Sequence, residues 1–196
     1  MTPLFVYGRL DHETTHKIMA EISAAANNID LVASEIGSEA DGAQCDDIRQ
    51  GSQAWISDTP HANYILQKLA FDANEALWEI PDIDTAYPDI QYTLYNEPSD
   101  HYDWHQDHYD DEEDIDGFHR KVSLSLCLSH DDMYEGAEFF IKDGSDSNVR
   151  YFKMKYGDFI VFPSDVEHRV NALRSGERLS LVVWYGTPVE QNAIEG

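Results

Sequence analysis

Cysteine is nearly absent: Cys45 and Cys127 stand far apart and in no paired spacing within 196 residues. That excludes a disulfide framework and a zinc ribbon, both of which need clustered cysteines. Basic residues are scarce too, with 13 Lys and Arg against 38 Asp and Glu and a formal net charge of −25. A field of that sign repels phosphate backbones and anionic membrane surfaces, so neither a nucleic acid nor a membrane is expected as partner. No stretch approaches the ~18 apolar residues of a membrane span. The opening Met-Thr-Pro-Leu-Phe-Val-Tyr-Gly lacks a basic region followed by an apolar run. Internal repeats and low-complexity linkers are also missing. The expectation is a soluble, cytoplasmic protein whose acidity is either a surface adaptation or a means of steering a basic partner.

What is present describes a folded globule, with 42% hydrophobic residues, four Trp and eleven Tyr. The length fits one domain, 1–196, divided into a helical support region over 1–89 and a β-rich core over 90–186. From Glu13 to Ile29, Ile18, Ile22 and Ala25 recur at helical spacing. A second helix opens at Asp58-Thr59-Pro60, a capping residue followed by proline, and runs to Trp78 with Leu66, Leu69, Ala73 and Leu77 on one face. The polar, Gly-bearing segment from Gly37 to Gln53 contributes an early strand or a loop.

Period-two alternation begins at Ile90. Strands are expected at Ile90–Tyr95, Tyr102–Gln106, Lys121–Leu128, Ala137–Lys142, Val149–Lys155, Asp158–Phe162, His168–Val170 and Arg178–Tyr185. Turn chemistry separates them, including Asn96-Glu-Pro98, Tyr134-Glu-Gly136, Tyr156-Gly157 and Ser175-Gly176. This order predicts a mainly β fold with N-terminal helices: a double-stranded β-helix (jelly-roll) barrel with the helices packed on one outer face.

The chemistry-bearing pattern is His105-Gln-Asp107, answered downstream by His168 and then Arg178. Residues two apart on a strand point to one side, so His105 and Asp107 can share a metal with a histidine from another strand. Two histidines and one carboxylate form the facial triad that holds non-haem Fe(II) and leaves other positions open. Arg178 and Ser180, again two apart, suit a carboxylate-bearing co-substrate, because a guanidinium fork matches a carboxylate in bidentate geometry. The pattern has rivals: His101-Tyr-Asp103 and His130-Asp-Asp132 are also His-x-Asp. His130 sits in a turn, but His101 and Asp103 share the parity of His105 and Asp107, and alternation does not choose between them.

The surroundings resemble the prolyl 4-hydroxylase group of Fe(II)- and 2-oxoglutarate-dependent oxygenases, most of all the bacterial PKHD-type hydroxylases. Tyr95 and Tyr102 before the His-x-Asp pair, Arg120-Lys-Val-Ser-Leu-Ser-Leu-Cys-Leu-Ser129, and Tyr134-Glu-Gly-Ala-Glu-Phe-Phe-Ile141 follow that group's order. Tyr156-Gly-Asp-Phe-Ile-Val-Phe-Pro-Ser-Asp-Val-Glu-His168 and Gly176-Glu-Arg178-Leu-Ser180 complete it. The resemblance assigns iron to His105, Asp107 and His168, and the distal carboxylate of 2-oxoglutarate to Arg178 with Ser180 and Tyr95. It implies O₂ as co-substrate, ascorbate as reductant, and a prolyl residue of a peptide or protein as substrate. The acidic stretch Asp110–Asp116, beside the iron pair, would recruit a basic substrate or else be a solvated loop. Two departures stand out: Cys127 occupies the place of a co-substrate-binding Tyr in some relatives, and Gly136-Ala137 replaces a double glycine. Because imidazoles ligate metal only when neutral, activity is expected to fall as acid protonates His105 and His168. Two alternatives stay open: an oxygenase of the same chemistry acting on another residue, a free amino acid or a metabolite, and a non-catalytic jelly-roll binding module. Oligomeric state has no signature in the chain.

Overall fold

The computed structural model describes residues 2–26, 29–34, 48–83, 85–86, 89–108, 118–144 and 148–188. Cys45, most of the Gly37–Gln53 segment and the whole acidic stretch Asp110–Asp116 lie outside them. The elements run β1 (Val6–Arg9), α1 (His12–Ala26), β2 (Val32–Ala33), β3 (Arg49–Gln50), β4 (Ser52–Ile56) and α2 (Pro60–Ala73). A single π-helical turn, Asn74–Trp78, extends α2. Then come β5 (Thr85–Ala86), β6 (Ile90–Tyr95), β7 (His101–His105), β8 (Phe118–Cys127), β9 (Tyr134–Gly136), β10 (Phe139–Lys142) and β11 (Val149–Phe152). The chain finishes with β12 (Asp158–Pro163), β13 (His168–Val170), β14 (Leu173–Gly176) and β15 (Arg178–Pro188).

Two antiparallel sheets face each other. The larger has the order β1-β12-β8-β15-β6-β4-β2, with β5 also on β15; the smaller has β11-β10-β13-β7-β3; β9 and β14 pair separately. Alternation along β15 shows how the larger sheet serves two interiors. Leu179, Leu181, Val183 and Tyr185 point outward and are covered by α1 and α2 through Ile18, Ile22, Ala62, Leu66 and Ala70. Arg178, Ser180, Val182 and Trp184 point the other way, toward the smaller sheet. The outward core is mainly aliphatic, with Phe159 and Tyr185 among it, whereas the space between the sheets is lined by aromatic, hydroxyl and guanidinium groups as well as apolar ones.

The helix boundaries follow from capping. Asp11 accepts hydrogen bonds from the Thr14 amide at 2.9 Å and the Thr14 hydroxyl at 2.7 Å, starting α1 one residue before the periodicity does. Pro60 opens α2 as expected, but Thr59 makes no side-chain cap. The Glu21 carboxylate of α1 does so instead, accepting from the His61 and Ala62 amides at 3.1 and 2.7 Å. A carboxylate at a helix N-terminus meets both the free N–H groups and the positive end of the dipole. Asn74 bonds both the amide and the carbonyl of Ile80, at 2.9 and 3.0 Å, and so holds the chain end of the π-turn.

The early segment resolves as a strand that changes sheets. β3 pairs with β7 of the smaller sheet and β4 with β6 of the larger. Gly51 is the corner between them: its φ is +148°, and a Cβ there would meet the Tyr95 ring at 2.6 Å. Tyr134–Gly136, expected as a turn, is strand β9, paired with β14 immediately before Arg178. The 149–155 strand stops at Phe152, and the following residues turn so that Met154 is buried.

Candidate metal centre

β7 and β13 pair so that His105 lies directly opposite His168, and Val170 lies opposite Tyr102. Three residues on β13, His168 to Val170, therefore face four on β7, Tyr102 to His105, which is a β-bulge. The bulge breaks the alternation that left two His-x-Asp pairs equivalent. Tyr102 and His105 both turn inward, their rings stacked at 3.4 Å. His101 and Asp103 are left outside, with the His101 Nδ1 beside the Ser99 carbonyl at 2.8 Å. His130 is exposed on its turn. The structure thus brings together His105, Asp107 and His168, whose potential ligand atoms all lie within 4.8 Å of one another.

Each imidazole is oriented by its own backbone. His105 Nδ1 lies 2.7 Å from the Asp103 carbonyl, and His168 Nδ1 lies 3.0 Å from the Val166 carbonyl. A carbonyl only accepts, so both Nδ1 atoms carry the proton and both Nε2 atoms present lone pairs to the common centre. Those Nε2 atoms stand 3.7 and 3.6 Å from the two Asp107 oxygens. Asp107 is anchored through its backbone amide to the Ser164 carbonyl at 2.9 Å. Its Oδ2 is buried with no hydrogen-bond partner among the described residues. Phe139 and Phe162 pack on the His168 ring at 5.6 and 4.6 Å.

The electrostatics suit a cation. Burial, then the neighbouring His168, pushes the His105 imidazole down to about 3, so it stays neutral. Burial alone would raise the Asp107 carboxyl, but the two imidazoles and Arg120 outweigh it and hold it below its ordinary value. Two imidazole nitrogens, one buried carboxylate oxygen without a partner among the described residues and an aromatic surround are the donor set of a divalent transition metal.

Arg178, Ser180 and Tyr95 are also brought together. Arg178 pairs with Tyr95 across β15 and β6, and Ser180 with Thr93 and with Cys127. The Arg178 guanidinium is 1% exposed. Its Nη1 donates to Ser180 Oγ at 3.1 Å and its Nη2 to Met154 Sδ at 3.7 Å, while Nε has no partner among the described residues. A buried cation whose polar neighbours are hydroxyls and a thioether, with no carboxylate among the described residues, suits an anionic visitor.

Three inward residues escaped the sequence reading. Arg49 spans the cavity, stacked on Tyr102 at 4.6 Å and donating to Gln91 Oε1 at 3.0 Å. Arg120 lies over the Trp184 ring at 4.0 Å. A second bulge, between Tyr185 and Gly186, turns Arg120 inward where strict alternation would have chosen Lys121. Tyr134 stands beside Arg178 and Cys127. The detectable signal for Tyr134 was Gly176, whose Cβ would meet the Met133 carbonyl at 2.0 Å and which therefore marks a close strand approach.

Comparison with known proteins agrees with this geometry. The 2OG-Fe(II) oxygenase superfamily profile matches residues 90–186. Residues 90–186 belong to that superfamily. A PKHD-type hydroxylase from Psychrobacter sp. (strain PRwf-1) is 40% identical over 63 residues, covering 32% of this chain and 24% of that protein. Another from Idiomarina loihiensis is 34% identical over 77 residues, covering 39% and 34%. The matched stretch thus spans about a quarter to a third of these relatives. The fold is that of a Pseudomonas putida prolyl-4-hydroxylase, with TM-score 0.68, 20% identity and coverage of 94% and 93%. It is also that of a Trichoplax adhaerens prolyl hydroxylase in complex with a hypoxia inducible factor peptide fragment, with TM-score 0.64, 16% identity and coverage of 93% and 83%. The oxygenase jelly roll expected from the strand order is thereby present, as two facing sheets rather than a continuous closed barrel.

Proposed function

We propose that the protein is an Fe(II)- and 2-oxoglutarate-dependent dioxygenase that hydroxylates a prolyl residue in a peptide or protein, forming succinate and CO₂ from the co-substrate. The observation that carries this is two sites facing one inter-sheet interior: the His105 and His168 Nε2 atoms beside the two Asp107 oxygens, and a buried Arg178 with no counter-ion among the described residues. In this reading His105, Asp107 and His168 ligate iron, and Arg178 holds the distal carboxylate of 2-oxoglutarate with Ser180 and Tyr95. Iron, when bound, would supply the O₂ chemistry, with ascorbate as the reductant.

The chain's own residues do the positioning. The Asp103 and Val166 carbonyls fix the imidazole tautomers, so no proton has to leave before ligation. Phe139, Phe162, Tyr102 and Tyr95 exclude water from the reacting space. Burial raises the Tyr95 phenol against the opposing pull of Arg49 and Arg178, keeping it a neutral donor beside the co-substrate. From Arg178 to Trp184 is six residues of strand, roughly 20 Å. The far end, with Trp184, Arg120, Trp55 and the Arg49–Gln91 pair, is left for the primary substrate.

A peptide substrate is supported by the prolyl hydroxylases among the similar folds, one of them carrying a peptide. The same fold also serves a non-heme alpha ketoglutarate dependent epimerase, SnoN, at TM-score 0.61 and 13% identity, so a small-molecule substrate is the second reading. The deciding assay is succinate formation from Fe(II), 2-oxoglutarate, ascorbate and O₂, with a proline-rich peptide pool against a metabolite pool. Stimulation by peptide with a one-oxygen mass gain on proline supports the first reading; stimulation by metabolites alone supports the second. Absence of both succinate and 2-oxoglutarate binding would leave the non-catalytic binding module.

A further inference from the structure

We propose that Tyr134 is a positioning residue for Arg178, holding the guanidinium for the distal carboxylate of the co-substrate in place of the phenol that Cys127 does not supply. The proposal rests on the dioxygenase reading and specifies how one end of its cavity is built.

Tyr134 is 2% exposed and enters the cavity from β9, not from the sheet that carries Arg178. β9 is clamped to β14 by the Tyr134–Gly176 pairing and by the Glu177 amide donating to the Met133 carbonyl at 3.1 Å. Gly176, at φ +84°, permits that approach, since a Cβ would overlap the Met133 carbonyl. The clamp therefore places Tyr134 two residues from Arg178 along the paired strand. Its hydroxyl donates to the Met154 carbonyl, and Met154 in turn offers its thioether to Arg178. The phenol stands near enough to the guanidinium and to the Cys127 thiol for both to perturb its acidity.

A phenol has one proton. Because Tyr134 commits that proton to Met154, what it shows to Arg178 is lone pair only. It cannot itself donate to an incoming carboxylate, so it acts through Arg178 and fixes the plane of the fork. Cys127 lies opposite Ser180 in the neighbouring strand and bonds weakly to the Ser129 carbonyl at 3.5 Å. Its small thiol leaves room for the phenol to approach from β9.

The test is equilibrium binding, measured anaerobically by calorimetry on Fe(II)-loaded protein, with 2-oxoglutarate and with pyruvate, a 2-oxo acid that lacks the distal carboxylate. Tyr134→Phe is expected to raise Kd for 2-oxoglutarate about tenfold, the worth of one hydrogen bond to a charged group. Pyruvate and Fe(II) affinities should stay within twofold or so, because neither ligand reaches Arg178. Cys127→Ser, as a second variant, should leave the 2-oxoglutarate affinity near that of the parent. An unchanged Kd for 2-oxoglutarate in Tyr134→Phe, or equal weakening of both acids, overturns the positioning role alone. Failure of the parent protein to bind 2-oxoglutarate would remove the dioxygenase reading, and this role with it.

Discussion

Replacing Arg178 with methionine should weaken 2-oxoglutarate binding and at the same time stabilise the metal-free fold. Arg178 is 1% exposed, and its polar neighbours are the Ser180 hydroxyl, the Met154 thioether and the Tyr134 phenol, with no carboxylate among the described residues. A cation so placed forfeits hydration without an ion pair in return, at a cost of several kcal/mol. Methionine matches its reach and adapts to irregular apolar space beside Met154. Arg178→Met should therefore gain about 2 kcal/mol, or about 4–8 °C in Tm for a chain of this size. The same change deletes two charge-assisted hydrogen bonds to the distal carboxylate. At ~1.5–3 kcal/mol each, that weakens 2-oxoglutarate at least ~100-fold. Scanning fluorimetry with and without Fe(II) and 2-oxoglutarate reads both effects: the parent gains Tm on adding the acid, and the variant starts higher and gains nothing. A variant that melts lower than the parent and still responds to 2-oxoglutarate would refute the reasoning, because Arg178 would then be a structural pin.

Burial and His168 hold the His105 pKa near 3, below that of an unfolded imidazole, so the unfolded chain binds the extra proton first. Stability of the metal-free protein should be complete above about pH 6.5 and fall as pH drops toward 3; His105→Gln should flatten that slope in thermal melts between pH 7 and pH 4. Glu21→Ala removes the carboxylate that caps α2 from α1 and should cost about 1 kcal/mol, seen as a Tm lower by about 2–4 °C. An unchanged Tm would mean that solvent caps α2 equally well. Ala137 holds φ +49°, a left-handed conformation that a side chain disfavours by about 1 kcal/mol, so Ala137→Gly should raise stability slightly in urea titrations, and a loss would show that the Ala137 methyl packs.

The strands and both helices were legible because their signals are local: alternation along Arg178–Tyr185, helical spacing from Ile18 to Ile22, proline at the start of α2. The Arg178–Ser180 pair was legible for the same reason, since residues two apart share a face of one strand, whereas Asp107 lies past the end of β7 and is held by its amide bond to Ser164. What escaped depends on contacts between segments distant in sequence. The β7 bulge that separates His105 from His101 exists only through pairing with β13, and the bulge at Tyr185 that turns Arg120 inward exists only through pairing with β8. The Glu21 cap is made 40 residues from the helix it serves. Tyr134 read as a turn residue because its strand partner, β14, is itself short and exposed beyond Leu173. Arg49 reaches the cavity through a sheet change at Gly51, which alternation along a single strand does not reveal.

The most direct measurement is turnover under isotopically labelled O₂, with succinate analysed by mass spectrometry for the parent protein and for His168→Ala and Arg178→Ala. A 2-oxoglutarate dioxygenase places one oxygen atom of O₂ in succinate, so the account predicts singly labelled succinate from the parent and background levels from both variants. Unlabelled succinate, or labelled succinate that survives loss of His168 and Arg178, would contradict it.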